Sequence, residues 1–342
     1  MKVYAALDPR LPLSEVPRVA RRVEDLGFDG LHIPETIHDS FAVALLAAEH
    51  TSRITVRTAI TLAFVRSPTL VAYNAWDLAK FSGGRFELGL GTQIKQNIEG
   101  RFGMPWTEPV ARIGEYLTVL RELFAAFASG DSIHFEGDSY RLTRLQPYFN
   151  PGPDDIAPPP ILLGAVNTGM CRLAGQLADG VITHSTNSDP GYLRDIVQPA
   201  LQTGAAERSR QVPGIIAAVP IATGATPAEV ARDRERQRRL LAFLYSTPSY
   251  RPTLIRLGLP ELFDRLRKLV KAQRWEQLHD VVTDDVLDAL LICGDYDALP
   301  DLVSDRYAGL VHGIVLPAPT ADPENTRLMH AIESLRASSA RR

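Results

Sequence analysis

The chain has 342 residues, 45% of them hydrophobic, and a formal net charge of −3 at pH 7. This length and apolar content suffice for one domain with a large core, and the small net charge argues against binding to nucleic acid or to a membrane surface. The two cysteines, Cys171 and Cys293, lack the spacing of a metal site or a C-x-x-C motif, which favours core thiols in a reducing compartment. We therefore expect a single cytoplasmic domain over residues 1–342 that binds a small molecule.

Eight short apolar segments have the composition of buried strands. They cover residues 3–7, 30–33, 54–63, 86–90, 160–164, 180–184, 215–222 and 310–316. Amphipathic helices are predicted between them, for example at 14–26, 42–51, 110–127, 170–178 and 190–201. This alternation predicts parallel βαβ units. A count of eight strands favours a closed (β/α)8 barrel, the TIM barrel, over an open doubly wound sheet.

Two segments depart from the alternation. Residues 130–160 contain aromatic, turn-forming and proline residues, which predict a hairpin and an ordered loop after strand 4, in a place to cover the barrel mouth. Residues 226–285 are charged and predict a helical insertion around strand 7. The basic run at 232–239 within it is interpreted as a solvated helix face.

The carboxyl ends of parallel strands carry the ligand loops in such folds. At these predicted ends lie Asp8, Pro34 to Thr36, Phe64 to Arg66, Gly91 to Gln93, Gly164 to Gly169 and His184 to Asn187. The sequence has no cluster with metal-ligand spacing, no G-x-S-x-G nucleophile elbow and no P-loop. A pocket with few acid or base candidates suits a bound redox cofactor, which itself carries the demanding chemistry.

Four motifs point to a known family. GFDGLHIPET at 27–36, the segment 57–68 with its A-I-T and R-S-P, SGGRFELGLGTQ at 82–93, and LAGQLADGVITH at 173–184 resemble the bacterial luciferase-like flavoenzyme superfamily in order and spacing. The resemblance spans nearly the whole chain and is similar in detail to the branch that uses the deazaflavin coenzyme F420. It implies F420 as cofactor, with FMN as the alternative.

The resemblance also implies a set of cofactor-binding residues. A non-prolyl cis peptide is expected between Ala59 and Ile60, against the deazaflavin ring. Backbone N–H groups after strand 5 are expected to bind the cofactor phosphate. The residues implied are Ala59, Ile60, Gly91, Thr92, Gln93, Asn97, Gly164, Ala165, Val166, Asn167, Thr168 and Gly169. Asn97 alternatively caps a helix or lies on the surface.

The chain departs from the family at two acid–base positions. The histidine that follows Glu or Asp after strand 2 in related dehydrogenases is replaced by Thr36, and a glutamate after the G-T-G turn is replaced by Ile94. The remaining catalytic candidates are Glu35, Thr36, His38 and His184. Glu35 is either a buried acid or a partner of Arg66, and either histidine is alternatively structural.

These departures favour reduction over oxidation, because reduction needs only a proton donor. The leading hypothesis is an F420-dependent oxidoreductase that transfers a hydride between C5 of the deazaflavin and a C=C, C=N or C=O bond. A monooxygenase that uses reduced FMN and a flavin-binding barrel without catalysis are the alternatives. The family further implies a homodimer through helices such as 42–50, and Lys95, Arg66 and Arg101 as cations that steer the cofactor's anionic tail.

Overall fold

Eight parallel strands close into a barrel in the computed structural model, which describes residues 1–319 and 325–337. Each strand hydrogen-bonds to the next along the chain, and the last pairs with the first. The predicted TIM barrel is confirmed. The barrel strands are β1 (Lys2–Ala6), β2 (Gly30–Ile33), β3 (Thr55–Thr58, continued by Thr61–Leu62), β4 (Phe86–Gly91), β5 (Ile161–Gly164), β6 (Gly180–Ile182), β7 (Gly214–Ala217) and β8 (Gly313–Pro317).

Helices on the outside of the barrel cover the outward faces of the strands. Several begin at a side chain that accepts a backbone N–H, as Asp39, Ser67 and Asn167 do. No described helix is long and apolar enough to cross a membrane. The outer helices are Val16–Asp25, Ser40–Glu49, Pro68–Phe81, Lys95–Gly100, Pro109–Ser129, Thr168–Leu177, Gln198–Glu207, Leu299–Tyr307 and Asn325–Ala337.

Two predicted strands are interrupted. The run at 54–63 breaks at the Ala59–Ile60 peptide, which is cis as predicted, and ends in a 3-10 turn at Ala63–Val65. The run at 215–222 was wrongly predicted as one strand: only Gly214–Ala217 belongs to the barrel. Ile221–Ala222 pairs instead with Ile292–Cys293 in a separate two-stranded sheet. Pro220 separates the two pieces and has no N–H to offer to a ladder.

A buried polar network lies inside the barrel. The Arg57 side chain, 2% exposed, donates to Glu87 at 2.5 Å, to Nε2 of His32 at 2.6 Å and to the hydroxyl of Tyr4 at 3.2 Å. Burial and the Arg57 charge hold the pKa of His32 well below its usual value. His32 is therefore a neutral, packed histidine, as its position within a strand predicts.

The segment 130–160 packs against the outside of the barrel. Its hairpin, Phe135–Glu136 and Arg141–Leu142, is followed by a stretch fixed to the outer helices. The Tyr73 hydroxyl donates to the carbonyl of Phe149 at 2.7 Å, and the Asn150 amide donates to the carbonyl of Ala126 at 2.9 Å. These contacts bind the end of the segment to Pro68–Phe81 and Pro109–Ser129, while the hairpin residue Tyr140 accepts from Arg112 at 3.1 Å. That the segment covers the mouth stays a prediction.

The second insertion is a helical unit with its own core. Helices Pro227–Tyr245, Arg251–Arg256, Pro260–Lys271 and Asp284–Leu290 pack around Leu241, Leu254, Leu262, Leu266 and Leu287.

The basic run 232–239 is less solvated than predicted. Arg234 and Arg238 are only 18% and 12% exposed, because they form ion pairs with Asp284 and Asp288 on a neighbouring helix. Arg234 and Arg238 therefore link two helices of the insertion through ion pairs.

A substitution at Gly89 tests how closely β3 packs against β4. An added Cβ at Gly89 would collide with the carbonyl oxygen of Thr58, whose hydroxyl also bonds the Gly89 backbone. We expect Gly89→Ala to lower the free energy of unfolding by about 1–3 kcal/mol, because β3 must move. The control is Gly100→Ala, where the added carbon meets open space. Equal urea unfolding midpoints for the two variants would contradict the close contact between Gly89 and Thr58.

Candidate active site

The carboxyl ends of β3, β4 and β5 form one wall of the mouth. Ile60 reaches across this wall, and its side chain lies against Gly91 and Gly164, where an added Cβ would crowd it. Ala59 and Ile60 also pack on the cluster of Tyr4, Leu162, Ile182, Ile216 and Val315 inside the barrel. The predicted residues Ala59, Ile60, Gly91 and Gly164 are thus brought together as an apolar surface of bare backbone and one aliphatic side chain.

Two polar side chains of the loop after β4 form hydrogen bonds within the loop itself. Thr92 donates to the carbonyl of Gln93 at 3.1 Å, and Gln93 Oε1 accepts from the N–H of Ile94 at 3.1 Å. Gln93 has φ of 62°, so a non-glycine residue occupies the left-handed region here. Asn97 differs: its backbone joins helix Lys95–Gly100, while its partly buried side chain bonds none of the described residues. Its amide is free to bind a ligand.

The loop after β5 exposes the start of a ten-residue helix. Asn167 is the N-cap, and its Oδ1 accepts from the N–H of Met170 at 2.9 Å. Asn167, Thr168 and Gly169 are exposed, whereas Ala165 is buried and donates its N–H to the carbonyl of Ile182. The amides of Thr168 and Gly169 therefore face solvent at the positive end of the helix dipole, an arrangement suited to an anion.

A second loop holds this one in place. Asn187, after β6, donates to the carbonyls of Ala165 and Val166 at 3.0 and 3.3 Å, and the Tyr192 hydroxyl donates to Val166 at 3.0 Å. The sequence placed Asn187 at the mouth without this role, and it did not point to Tyr192. Asn187 stands in the H-S-T-N-S-D stretch, and an asparagine among turn residues is a signal for such side chain to backbone bonding.

Glu35 is the partner of Arg66 rather than a free acid. Its Oε2 accepts from the N–H of Leu62 at 2.6 Å and from Arg66 at 2.9 Å, and Oε1 accepts from Arg66 as well. Arg66 also binds Asp39 at 2.6 Å. Burial alone raises the pKa of Asp39, but the hydrogen bond and charge of Arg66 outweigh it and the pKa is lowered. The Arg66 guanidinium is therefore shared by two carboxylates, and its role in steering the cofactor tail stays a prediction.

Thr36 and His38 lie on the rim at β2. The Thr36 hydroxyl donates to the carbonyl of Pro9 at 3.3 Å, and its carbonyl accepts from Arg101. Arg101 is thus tied to this loop and stacks on Phe102 at 4.7 Å. His38 lines a narrow cleft with Asp8 and forms no hydrogen bond with the described residues. The residues of this cleft do not include the wall of Ala59, Ile60, Gly91 and Gly164, and Thr36 is held by backbone contacts.

His184 follows β6 and is held on two sides. Its Nδ1 lies 2.8 Å from the hydroxyl of Thr186, and its ring stacks on Tyr250 of the helical insertion, with 4.9 Å between centroids. Burial lowers the pKa of His184 to about 4. The ring is neutral at pH 7, so His184 does not supply a proton from an imidazolium. Tyr250 was missed because nothing in the sequence relates the insertion to β6.

The arrangement offers binding groups rather than a protein-based reaction centre. Within residues 1–319 and 325–337 no group of three or more His, Cys, Asp or Glu side chains is placed to hold a metal ion. The mouth presents an apolar wall, a free amide at Asn97, exposed amides at Thr168 and Gly169, and the ring of His184. Such a surface suits the binding and orientation of a cofactor.

The Glu35–Arg66 pair provides a stability test. In Arg66→Met the buried Glu35 carboxylate loses its cation, and we expect the free energy of unfolding to fall by about 3 kcal/mol at pH 7. Asp39 has a lowered folded pKa, so its share is present above its unfolded pKa of about 3.9 and is lost below it. The difference from wild type should therefore shrink in acid.

The matched control is Arg18→Met, which removes an exposed pair with Glu15. We expect it to change stability by less than about 1 kcal/mol. Urea unfolding at pH 7 and pH 3 measures both variants, and an equal loss in the two would contradict the central role of Arg66.

Comparison with known proteins agrees with this geometry. A family model described as luciferase-like monooxygenase matches residues 2–313. An uncharacterized protein of Mycobacterium tuberculosis is 37% identical over 313 residues, which cover 90% of this chain and 92% of that protein. An F420-dependent glucose-6-phosphate dehydrogenase of Nakamurella multipartita is 28% identical over 302 residues, covering 82% and 83%.

A solved structure shows the same fold. The coenzyme F420 dependent tetrahydromethanopterin reductase of Methanopyrus kandleri aligns with a TM-score of 0.81 at 20% identity and covers 98% of both chains. The family match extends over most of the chain and includes all four motifs noted in the sequence. The chain therefore belongs to the luciferase-like monooxygenase family, an enzyme family built on this barrel.

Proposed function

We propose that this protein is a coenzyme F420-dependent oxidoreductase that reduces a C=C, C=N or C=O bond of a small organic substrate. The observation that carries the proposal is the state of Glu35, the buried carboxylate at the mouth, which is occupied by Arg66 and the Leu62 N–H. Without a free carboxylate there, the chemistry is assigned to a cofactor. The glucose-6-phosphate dehydrogenase relative, whose name specifies F420, supports the choice of coenzyme.

The residues of the mouth fit a deazaflavin nucleotide-like ligand. The apolar wall of Ala59, Ile60, Gly91 and Gly164 suits a planar ring, because its two glycines have no side chain, Ala59 has only a methyl group, and Ile60 lies against both glycines. The Asn97 amide has donors and an acceptor for the polar ring edge or the ribityl hydroxyls.

The phosphate would bind at the helix after β5. The exposed amides of Thr168 and Gly169 stand at the start of Thr168–Leu177, where the helix dipole favours an anion. When bound, the deazaflavin supplies hydride transfer, and the protein supplies binding and orientation.

The direction of the reaction follows from the proton donors. Oxidation of an alcohol needs a base near the substrate hydroxyl, and Glu35 is unavailable for that role. Reduction needs only a proton, for which His38 or water is proposed. Thr36 is bonded to Pro9 and His184 is neutral, so these two candidates are less suited to deliver it.

The second candidate is a monooxygenase that uses reduced FMN, which the description of the matching family favours. Titration of the purified protein with F420 and with FMN, oxidised and reduced, separates the two. We expect micromolar binding of F420 and none of FMN, followed by oxidation of reduced F420 in the presence of an activated alkene, imine or ketone. Preferential binding of reduced FMN would overturn the proposal. Binding of F420 without turnover would favour the non-catalytic barrel.

The phosphate site gives a specific prediction. We expect Thr168→Glu to weaken F420 binding at least ten-fold, because it places a carboxylate beside the proposed phosphate. Affinity for the deazaflavin without its phosphate should change little. Thr203→Glu, which adds the same charge to an exposed position within helix Gln198–Glu207, is the control. Equal losses for both deazaflavins in a fluorescence titration would argue against phosphate binding here.

A homodimer is proposed through the second and third outer helices. Leu45 of Ser40–Glu49 and Leu70 of Pro68–Phe81 are 46% and 58% exposed and would be covered by a second copy. We expect Leu45→Arg with Leu70→Arg to convert a dimer to a monomer in sedimentation velocity. Leu240→Arg on the helical insertion, also exposed, should leave the dimer intact. A wild-type monomer would refute the proposal.

A further inference from the structure

His184 continues the inward face of β6 towards the mouth. Ile182, two residues earlier, points into the barrel interior beside Ile216 and Ala59. The N–H of Thr183 donates to the carbonyl of Ile216 at 3.0 Å, so the ladder with β7 continues past the end of β6. Side chains alternate along such a backbone, and His184 therefore falls on the same inward face as Ile182, one layer nearer the mouth.

The contacts of Nδ1 determine the tautomer of His184. Nδ1 lies 2.8 Å from the Thr186 hydroxyl and 3.4 Å from the Thr186 backbone N–H. A backbone N–H only donates, so this geometry favours Nδ1 as the acceptor and the proton of the neutral ring on Nε2. Nε2 has no hydrogen-bond partner among the described residues, and it is not one of their fully buried polar atoms. It is an accessible donor.

Tyr250 offers a second donor on the ring that stacks on His184. Its ring lies nearly parallel to that of His184, with 11° between the planes, and packs on the core of the helical insertion. Its hydroxyl forms no hydrogen bond with the described residues and is likewise not fully buried. Burial raises the pKa of Tyr250 and lowers that of His184, so at neutral pH both groups keep their protons and carry no charge.

We infer that His184 and Tyr250 form a pair of neutral hydrogen-bond donors that binds the carbonyl oxygen of the substrate. Two donors with no cation suit an uncharged oxygen acceptor better than a carboxylate or a phosphate, which favour charged partners. The same donors would strengthen their hold on that oxygen if negative charge grew on it. The inference deepens the proposed function and rests on it, since it narrows the substrates to ketones and conjugated enones.

The test uses the full chain labelled with 15N-histidine. His184→Phe identifies the His184 signals by their loss. In the wild type at pH 7 we expect a neutral ring with the proton on Nε2. Addition of cyclohex-2-enone, with and without oxidised F420, should move the Nε2 resonance, whereas cyclohexene and cyclohexanecarboxylate should not. A proton on Nδ1, a charged ring, an unmoved resonance under both conditions or a response to the carboxylate would overturn the inference.

Tyr250→Phe tests the second donor, because it keeps the stacked ring and removes only the hydroxyl. We expect enone affinity to fall about five-fold. Tyr148→Phe, which alters a 91% exposed tyrosine of the other insertion, should leave it unchanged. Equal affinity of Tyr250→Phe and wild type would remove Tyr250 from the pair. F420 binding is followed separately by fluorescence, so loss of the enone response with F420 still bound rejects the donor pair alone.

Discussion

The arrangement of the mouth depends on the side chain of Arg66. It pairs with Glu35 after β2 and with Asp39, which also caps helix Ser40–Glu49, and it donates to the carbonyl of Leu62 after β3. Its own carbonyl accepts from the Tyr116 hydroxyl on the long helix after β4. One guanidinium thus fixes the ends of two strands and the start of a helix. A planar cation with five donors can make these bonds simultaneously, which a lysine cannot.

This constraint has a chemical consequence. Because the carboxylates of Glu35 and Asp39 neutralise Arg66, they are not available to bind or deprotonate a substrate. The groups proposed to bind the ligands are uncharged: the Asn97 amide, the backbone amides of Thr168 and Gly169, and His184. A site of this kind has little acid–base chemistry of its own and contributes mainly placement, which by itself can lower a barrier by several kcal/mol. Under the proposed function, the bound cofactor would supply the reactive group.

The sequence predicts the barrel better than it predicts the site. The strands are found because apolar, β-branched runs between turn residues have few other solutions, and the motifs locate the ligand loops on them. The boundary at Pro220 was missed although proline signals such a break. The positions of Asn187, Tyr192 and Tyr250 follow from contacts between segments distant in sequence.

The sequence likewise does not show which partners a charged side chain finds in the fold. Glu35 was left open between an acid and a partner of Arg66, since only the fold shows that both its oxygens are occupied. The insertion 130–160 was expected to cover the mouth, and the sequence did not show that its later part bonds to the outer helices. Composition gives the residue types of an insertion and not the surface that they contact.

The proposed cofactor side and substrate side of the mouth belong to different parts of the fold. The proposed cofactor side consists of strand ends and short loops of the barrel, whereas Tyr250 on the substrate side belongs to a unit with a separate core. That unit is fastened to the loop after β6 by the Tyr245 hydroxyl on the carbonyl of Thr186, at 3.4 Å, and by Arg256 on Asp195. The position of Tyr250 over His184 therefore depends on packing within the insertion and on these few anchors. Changes in the insertion core can reshape the substrate side while the strand ends keep the cofactor side unchanged.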